Sequence, residues 1–232
     1  MKNRLYTEHA HQYSEAIKKN IYNARFERPT LQAMMPYLKD KSVLDLGCAS
    51  GEHSRHLLEN GANVTAIDIS QKMLELLEKQ FKGHLRCYAH DISSGLPDEL
   101  DASFDLVISA LTIHYINDLN PLFSDIGRVL KKAGRFIFST HHPVLDFQTS
   151  VSGNYFEKEL ITEKWDVIGE PVEVSFYRRP LTELFAAITQ AGLCVTGLNE
   201  GNPQPEIQNI NPATYKRLST KPNFMFVECR KF

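Results

Sequence analysis

The stretch "VLDLGCASGEH", Val43 to His53, decides how this chain is read. Val43, Leu44 and Leu46 surround Asp45 as they would in a strand buried within a sheet. The chain then breaks into Gly47-Cys48-Ala49-Ser50-Gly51 and continues as "GEHSRHLLENG", which fits a helix ended by Gly61. Glycines between a strand and a helix let the backbone turn sharply and lie close to a bound group. The turn is therefore a candidate ligand cradle.

The flanking sequence keeps the same rhythm. "NVTAIDI" reads as a second strand, and Ser70 as the N-cap of "QKMLELLEKQF", where Met73, Leu74, Leu77 and Phe81 recur at helical spacing. "HLRCYAHDI" is a third strand, and "FDLVISAL" a fourth, apolar enough to be buried on both faces. "LNPLFSDIGRVLKKAG" reads as a helix closed by Gly134, and "RFIFSTHH" as a fifth strand. This alternation predicts an α/β, doubly wound, mostly parallel sheet with ligands at the carboxyl ends of its strands. Residues before about Met34 read as one or two amphipathic helices. Pro143 to Pro180 has no long periodic element, so it is expected to be functional or to carry its own small structure. A helix "LTELFAAITQAG", a strand "LCVTGLNE", a polar stretch from Gly201 to Pro222 and a last strand "FMFVECRKF" complete the chain. The expected layout over 1–232 is one domain: a helical cap (1–40), a binding core (41–142), a lid (143–180) and the rest of the sheet (181–232).

Composition excludes several classes. The 232 residues are 42% hydrophobic and 23% charged, ordinary values for a globular domain. A net charge of −2 offers no general attraction to nucleic acid or an anionic membrane, and no apolar run is long enough to span a bilayer. The N-terminal segment lacks the apolar core of a signal peptide, and the 4 cysteines form no C-x-x-C pair. A cytoplasmic protein with buried, reduced thiols is expected.

Three ligands compete for the turn. A P-loop needs a lysine that is absent here, and the dinucleotide pattern G-x-G-x-x-G meets Ala49 and Glu52 at its second and third glycines. Glu52 at a helix start would also repel a pyrophosphate. What remains is a ligand without phosphate, carrying an adenosine and an amino-acid end: S-adenosylmethionine.

With "KSVLDLGCASGEHSRHLLENGANVTAIDIS", "AHDIS", "SFDLVISALTIHYI" and "LKKAGRFIFSTHHP" in this order, the chain resembles the class I S-adenosylmethionine-dependent methyltransferases that act mainly on small molecules. The match covers about the central half of the chain, and "AIKKNIYNARFERPTL" and "RRPLTELFAAITQAGL" resemble flanking pieces of the same group. The resemblance implies a Rossmann-like seven-stranded sheet with N-terminal helices and a lid insertion after the fifth strand. It implies S-adenosyl-L-methionine as cofactor and S-adenosyl-L-homocysteine as product. By that resemblance Asp45 faces the methionine ammonium, and Gly47, Cys48, Ala49 and Gly51 form the cofactor turn. Ala49 stands where the family usually has glycine, and is expected to keep a negative φ. Asp68 would take the ribose hydroxyls, Ile69 and Met73 the adenosine faces, and Asp91 with Ile92 the adenine edge. Ser109, Ala110 and Leu111 would offer carbonyls to the ammonium. Tyr13, Tyr22 and Arg28 would cover the cofactor, Arg28 at its carboxylate; plain surface packing is the competing reading. Likewise Asp68 could be only a helix-start acid and Asp91 a turn residue.

Histidines mark the acceptor side. His114 follows the fourth strand and could take a proton from the acceptor or merely pack the strand end. Strand alternation turns one of His141 and His142 toward the acceptor, and His142 is the expected one for catalysis, with His141 near the substrate. Tyr155, Phe156, Trp165, Tyr177 and Arg178 are the expected walls of the acceptor pocket. His53 and His56 share a helix face but lack a third ligand, so no metal is expected. "SALT" replaces the N/D-P-P-Y/F motif of amino methyltransferases, which favours a small-molecule acceptor without nucleic-acid or membrane partners, on a monomer or homodimer. A non-catalytic S-adenosylmethionine-binding protein is the alternative, with a nicotinamide enzyme behind it.

Overall fold

The computed structural model describes residues 3–232. Two short helices, α1 (Arg4–Thr7) and α2 (Ala10–Ile17), are followed by a π turn over Asn23–Glu27 that runs into α3 (Arg28–Met34). The core then alternates as expected: β1 (Ser42–Leu46), α4 (Glu52–Glu59), β2 (Asn63–Asp68), α5 (Gln71–Phe81), β3 (Arg86–Ala89), β4 (Phe104–Ala110), α6 (Asn120–Val129) and β5 (Leu130–His141). After a helical turn, α7 (Pro143–Asp146), come β6 (Glu159–Trp165), β7 (Val172–Arg178), α8 (Leu181–Gln190), β8 (Leu193–Asn199), α9 (Glu206–Ile210), α10 (Pro212–Thr220) and β9 (Phe224–Lys231).

Seven strands form one sheet in the order β3-β2-β1-β4-β5-β9-β8. The first five run parallel, and β9 lies antiparallel between β5 and β8. The order reverses between β1 and β4, so their carboxyl ends flank the switch point where such sheets bind ligands. Strand alternation divides the core. Leu44, Leu46, Val107, Phe136 and Phe138 pack under α6 and α8, whereas Val43, Leu106, Ile108 and Ile137 pack against Leu31, Leu57 and Phe226. The N-cap is as expected: Met73 N–H donates to Ser70 Oγ at 3.3 Å, and Met73, Leu74, Leu77 and Phe81 are buried.

Several segments depart from expectation. The helix read as ending at Gly134 stops at Val129, and Leu130 already belongs to β5. Leu130 pairs with Phe104 before a register shift, with Ala133 at φ 61°, so sheet pairing overrides the helical composition of "LKKAG". The polar stretch after Gly201 holds α9 and α10. Asn211 Oδ1 caps α10 by accepting from Thr214 N–H at 2.9 Å, and Ile207 and Leu218 anchor the pair. Pro143 to Pro180 carries its own structure, the antiparallel hairpin β6–β7, with Val172, Val174 and Phe176 turned inward. Of the thiols expected to be buried, Cys48 and Cys229 are, but Cys194 is exposed.

The decisive turn also holds a surprise. Gly47 adopts φ 72°, and a methyl group there would run into the Thr112 side chain. Ala49, expected at negative φ, sits at φ 47°. The left-handed region costs a non-glycine residue about 1–2 kcal/mol. Here it is held by two hydrogen bonds, Ala49 N–H to Asp68 Oδ2 at 2.9 Å and Cys48 N–H to the Ile67 carbonyl at 3.1 Å. Relief of that strain, less the entropy glycine adds to the unfolded chain, should make Ala49→Gly more stable by about 0.5–1 kcal/mol. A higher urea midpoint at unchanged slope is the expected result.

Candidate active site

A cavity of about 930 Å³ opens at the carboxyl ends of the central strands, beneath the N-terminal helices and beside the β6–β7 hairpin. At one end lie the turn residues Gly47, Cys48 and Ala49 with Asp68, Ile69, Asp91 and Ile92. Asp68 ends β2, and its Oδ1 also accepts from Ser70 N–H at 2.8 Å. Burial pushes its pKa up; the amides of Ser70 and Ala49 offset only part of that. Asp91 is more open. Burial raises its pKa, but Ser93, donating from Oγ at 2.7 Å and N–H at 3.1 Å, leaves it below the usual value.

The middle of the cavity is polar, and most of it was not anticipated. Glu27 is buried; its Oε1 accepts from Ser139 Oγ at 2.7 Å and its Oε2 lies 3.1 Å from His53 Nε2. Burial lowers the His53 pKa, yet the Glu27 carboxylate outweighs it and leaves it raised. Arg28 pairs with Glu52 at 3.5 Å and donates from Nη2 to the Ile17 carbonyl at 3.1 Å. Tyr13, Tyr22, Ala110, Leu111 and Thr112 also line the space. In the sequence Glu52 served only as an argument against a pyrophosphate, and Glu27 sits beside Arg28 with no motif around it.

The far end carries His114, His141, Tyr115, Trp165 and Phe176. The two imidazoles stack with centroids 4.0 Å apart. His141 Nδ1 lies 3.5 Å from Asp146 Oδ1. His114 Nδ1 lies 3.4 Å from Thr140 Oγ1, and its buried Nε2 has no partner. Burial, then the charges of His141 and Arg179, hold the His114 pKa well below the usual histidine value, so this ring is neutral at neutral pH.

Several expected residues lie elsewhere. His142 does not border the cavity: its Nε2 is 3.0 Å from Glu200 and its Nδ1 accepts from Val144 N–H at 3.2 Å. Alternation along β5 gives the cavity to His141 instead. Asp45 points to the α4 side, where Oδ2 accepts from Ser54 Oγ at 2.6 Å and burial pushes its pKa up to about 6. Gly51, Met73 and Ser109 sit behind the wall, Ser109 Oγ donating to the Leu46 carbonyl at 3.2 Å. Among the expected acceptor walls only Trp165 borders the main cavity. Tyr155 is occupied by Leu181 N–H, which donates to its hydroxyl at 3.2 Å, and Phe156 is 75% exposed. Tyr177 faces a separate cavity of about 20 Å³. Arg178 is fully buried, braced by Glu159 and by the Tyr155 carbonyl at 2.8 Å.

The residues present suit S-adenosylmethionine. Gly47, Cys48 and Ala49 bring the turn to the cavity wall, and among the described residues the buried atoms Arg28 Nε, Glu52 Oε1 and His53 Nδ1 have no partner. Buried polar groups of that kind call for a polar ligand.

A switch-point cavity with acids at the ends of β2 and β3, a glycine turn and no phosphate-binding lysine defines a Rossmann-like methyltransferase. Residues 44–138 match the family model described as a methyltransferase domain. A candidate S-adenosylmethionine dependent methyltransferase from Listeria monocytogenes superposes with a TM-score of 0.75 at 27% identity, covering 89% of this chain and 96% of that one. The S-adenosylmethionine dependent methyltransferase of Mesorhizobium loti gives a TM-score of 0.72 at 26% identity, over 88% and 97%. An uncharacterized protein of Haemophilus influenzae is 30% identical over 90% of this chain and 88% of its own length. The malonyl-[acyl-carrier protein] O-methyltransferase of Pseudescherichia vulneris is 33% identical over 131 residues, so this chain spans about half its length. The chain belongs to the class I S-adenosylmethionine-dependent methyltransferases. No described helix is long and apolar enough to cross a membrane.

The buried Asp45 gives a pH test. A carboxyl whose pKa rises from 3.8 to about 6 on folding contributes stability below the lower value that is lost as pH climbs through the higher. Asp45→Asn should therefore gain on the natural protein by about 1.4 kcal/mol per pH unit between these limits, levelling off above. Urea titrations across that range measure it.

Proposed function

We propose that this methyltransferase alkylates a small-molecule acceptor lodged between the histidine pair and the β6–β7 hairpin. The observation that carries the reading is the division of one cavity into a nucleoside-like end, at Asp68 and Asp91, and an aromatic end carrying His114 and His141. About 930 Å³ is at the upper end of the range for a single-ligand pocket, which leaves room for cofactor and acceptor together. The net charge of −2 supports an acceptor other than nucleic acid.

When bound, the cofactor supplies a methyl group on a positively charged sulfur, already activated for in-line displacement. The chain's task is alignment and exclusion of water. Asp68 holds the ribose hydroxyls, Asp91 the adenine edge, and Ile69 and Ile92 the faces of the base. Arg28 takes the cofactor carboxylate, Tyr13 and Tyr22 close over it, and the carbonyls of Ala110 and Leu111 border the reacting centre. On the acceptor side, Asp146 beside Nδ1 orients His141 and leaves its Nε2 to receive a proton from the acceptor. His114, neutral and stacked beneath, keeps a second positive charge away from that proton. Trp165 and Phe176 form the apolar wall, and the hairpin that carries them acts as the lid.

Calorimetric titration with S-adenosylhomocysteine tests the first half of this reading. Asp68→Asn should weaken binding at least about tenfold, the loss expected when a carboxylate that accepts ligand hydroxyls is neutralised. Unchanged affinity would remove Asp68 from the site. With an acceptor found by screening metabolites against the cofactor, His141→Gln should lower kcat by about 10²–10⁴ with a smaller effect on KM, the range for a lost general base.

A further inference from the structure

Among the described residues, the lysines and arginines on the cavity wall are Arg28, Lys164 and Arg217. Two are accounted for. Arg28 pairs with Glu52 at 3.5 Å, and Lys164 is exposed on β6, where water screens its charge. Arg217, on α10, is half-buried, and no carboxylate among the described residues forms an ion pair with it. Its guanidinium is fixed all the same. Nη2 donates to Asn223 Oδ1 at 2.8 Å, and the guanidinium carbon stands 5.5 Å from the centroid of the Tyr22 ring. Asn223 is 5% exposed, and its own carbonyl accepts from His142 N–H at 3.1 Å. A guanidinium held by a neutral amide and an aromatic face keeps its full charge. Tyr22, Arg217 and Asn223 all border the cavity, so that charge is offered to whatever the cavity holds.

The chain connects this guanidinium to the acceptor side. Asn223 is followed by Phe224, which opens β9, borders the cavity and pairs in register with His141 of β5. The rings of Phe224 and His141 lie 6.1 Å apart, inclined by 25°. The start of one strand thus carries both the partner of Arg217 and the neighbour of His141. Resting on the reading above, in which the acceptor gives its proton to His141, we propose that the acceptor carries an anionic group, a carboxylate or a phosphate, and that Arg217 is the specificity residue that receives it. A planar guanidinium with one donor taken presents the others to two oxygens of such a group, the geometry by which arginine reads carboxylate and phosphate. The remaining walls forbid the anion elsewhere. Glu27, Glu52, Asp68, Asp146 and Glu163 border the same cavity, and each repels a negative group placed against it. The acceptor is therefore a small amphipathic acid, with its apolar body against Trp165 and Phe176, its reacting atom at His141 and its charge at Arg217.

The test uses the protein saturated with S-adenosylhomocysteine and compares benzoate, phenyl phosphate and benzamide, which share one ring and differ in charge. Calorimetry should show at least one of the anions binding at least about tenfold tighter than the neutral amide. Preference for both anions means that charge is what is read; preference for one alone identifies the group as carboxylate or as phosphate. Arg217→Gln should bring the anions down to the level of benzamide while changing S-adenosylhomocysteine affinity less than about threefold. Arg217→Lys, which keeps the charge without the fork, should restore part of the preference. Anions that bind no better than benzamide, or a preference that survives Arg217→Gln, overturn the proposal. So does a loss of S-adenosylhomocysteine affinity in Arg217→Gln at an unchanged urea midpoint, which would place Arg217 at the cofactor. Hydrogen exchange on the unmodified protein locates the anion without any variant: the tighter anion should slow amides over residues 211–224, and no slowing there overturns the proposal. Failure of the natural protein to bind S-adenosylhomocysteine is a separate result, and would overturn the assignment of the cavity to the cofactor.

Discussion

The Asp68 carboxylate is the interaction on which the site depends. One oxygen accepts from Ala49 N–H and the other from Ser70 N–H, so a single side chain at the end of β2 fixes both the β1–α4 turn and the entry to α5. Without it, only the bond from Cys48 N–H to the Ile67 carbonyl would remain to hold Ala49 at φ 47° against the cost of the left-handed region. The turn in turn places Gly47 under Thr112, a contact a side chain would forbid. The same carboxylate faces the cavity, so the group that shapes the cradle is also exposed to what the cradle holds. Its raised pKa reflects the desolvation this double duty imposes.

A second tie closes the cavity from above. The helices before β1 have few strong intrinsic signals: α1 spans only Arg4–Thr7, and neither α1 nor α2 has a side-chain N-cap. They are held by tertiary contacts. Asn3 pairs with Ser175 of β7 through Oδ1 at 3.0 Å and Nδ2 at 3.2 Å, Tyr6 meets Tyr115 hydroxyl to hydroxyl at 2.5 Å, and Glu27 reaches Ser139. The cap therefore touches the hairpin, the turn after β4 and the end of β5 together.

Much of this was legible in the sequence because local and global signals agree there. The glycine turn, the β-branched strands, Ser70 before its helix and Asp68 after its strand each follow from a short-range rule. Legibility ends where partners are distant in sequence. Glu27 bonds to Ser139, 112 positions away, and no spacing rule links them. The choice between His141 and His142 shows the limit well: alternation guarantees that the two face opposite ways, but the phase is set by the register of β5 against β4 and β9, and a register shift at Phe104/Leu106 breaks the count. Arg178 was read as a pocket wall because an arginine among aromatics suggests a binding surface. It is instead the internal brace of the loop from Asn154 to Glu157, and the carbonyls it holds carry no sequence signal.

The electrostatics of the cradle explain why elimination from sequence succeeded despite these gaps. A helix N-terminus presents unpaired N–H groups and partial positive charge, the ordinary basis for binding phosphate. Here the first residue of α4 is Glu52, and Glu27 lies across from His53 at the same end. Two carboxylates against one guanidinium and one imidazole cancel the attraction for a doubly charged anion, and they do so inside a wall where water screens little. The same set leaves Arg28 Nε and Glu52 Oε1 buried without a partner among the described residues, which is unfavourable unless something satisfies them. Glu52, the residue that disqualified the turn as a dinucleotide site, thus places a carboxylate at the helix start where a phosphate-binding fold leaves the N–H groups free for an anion.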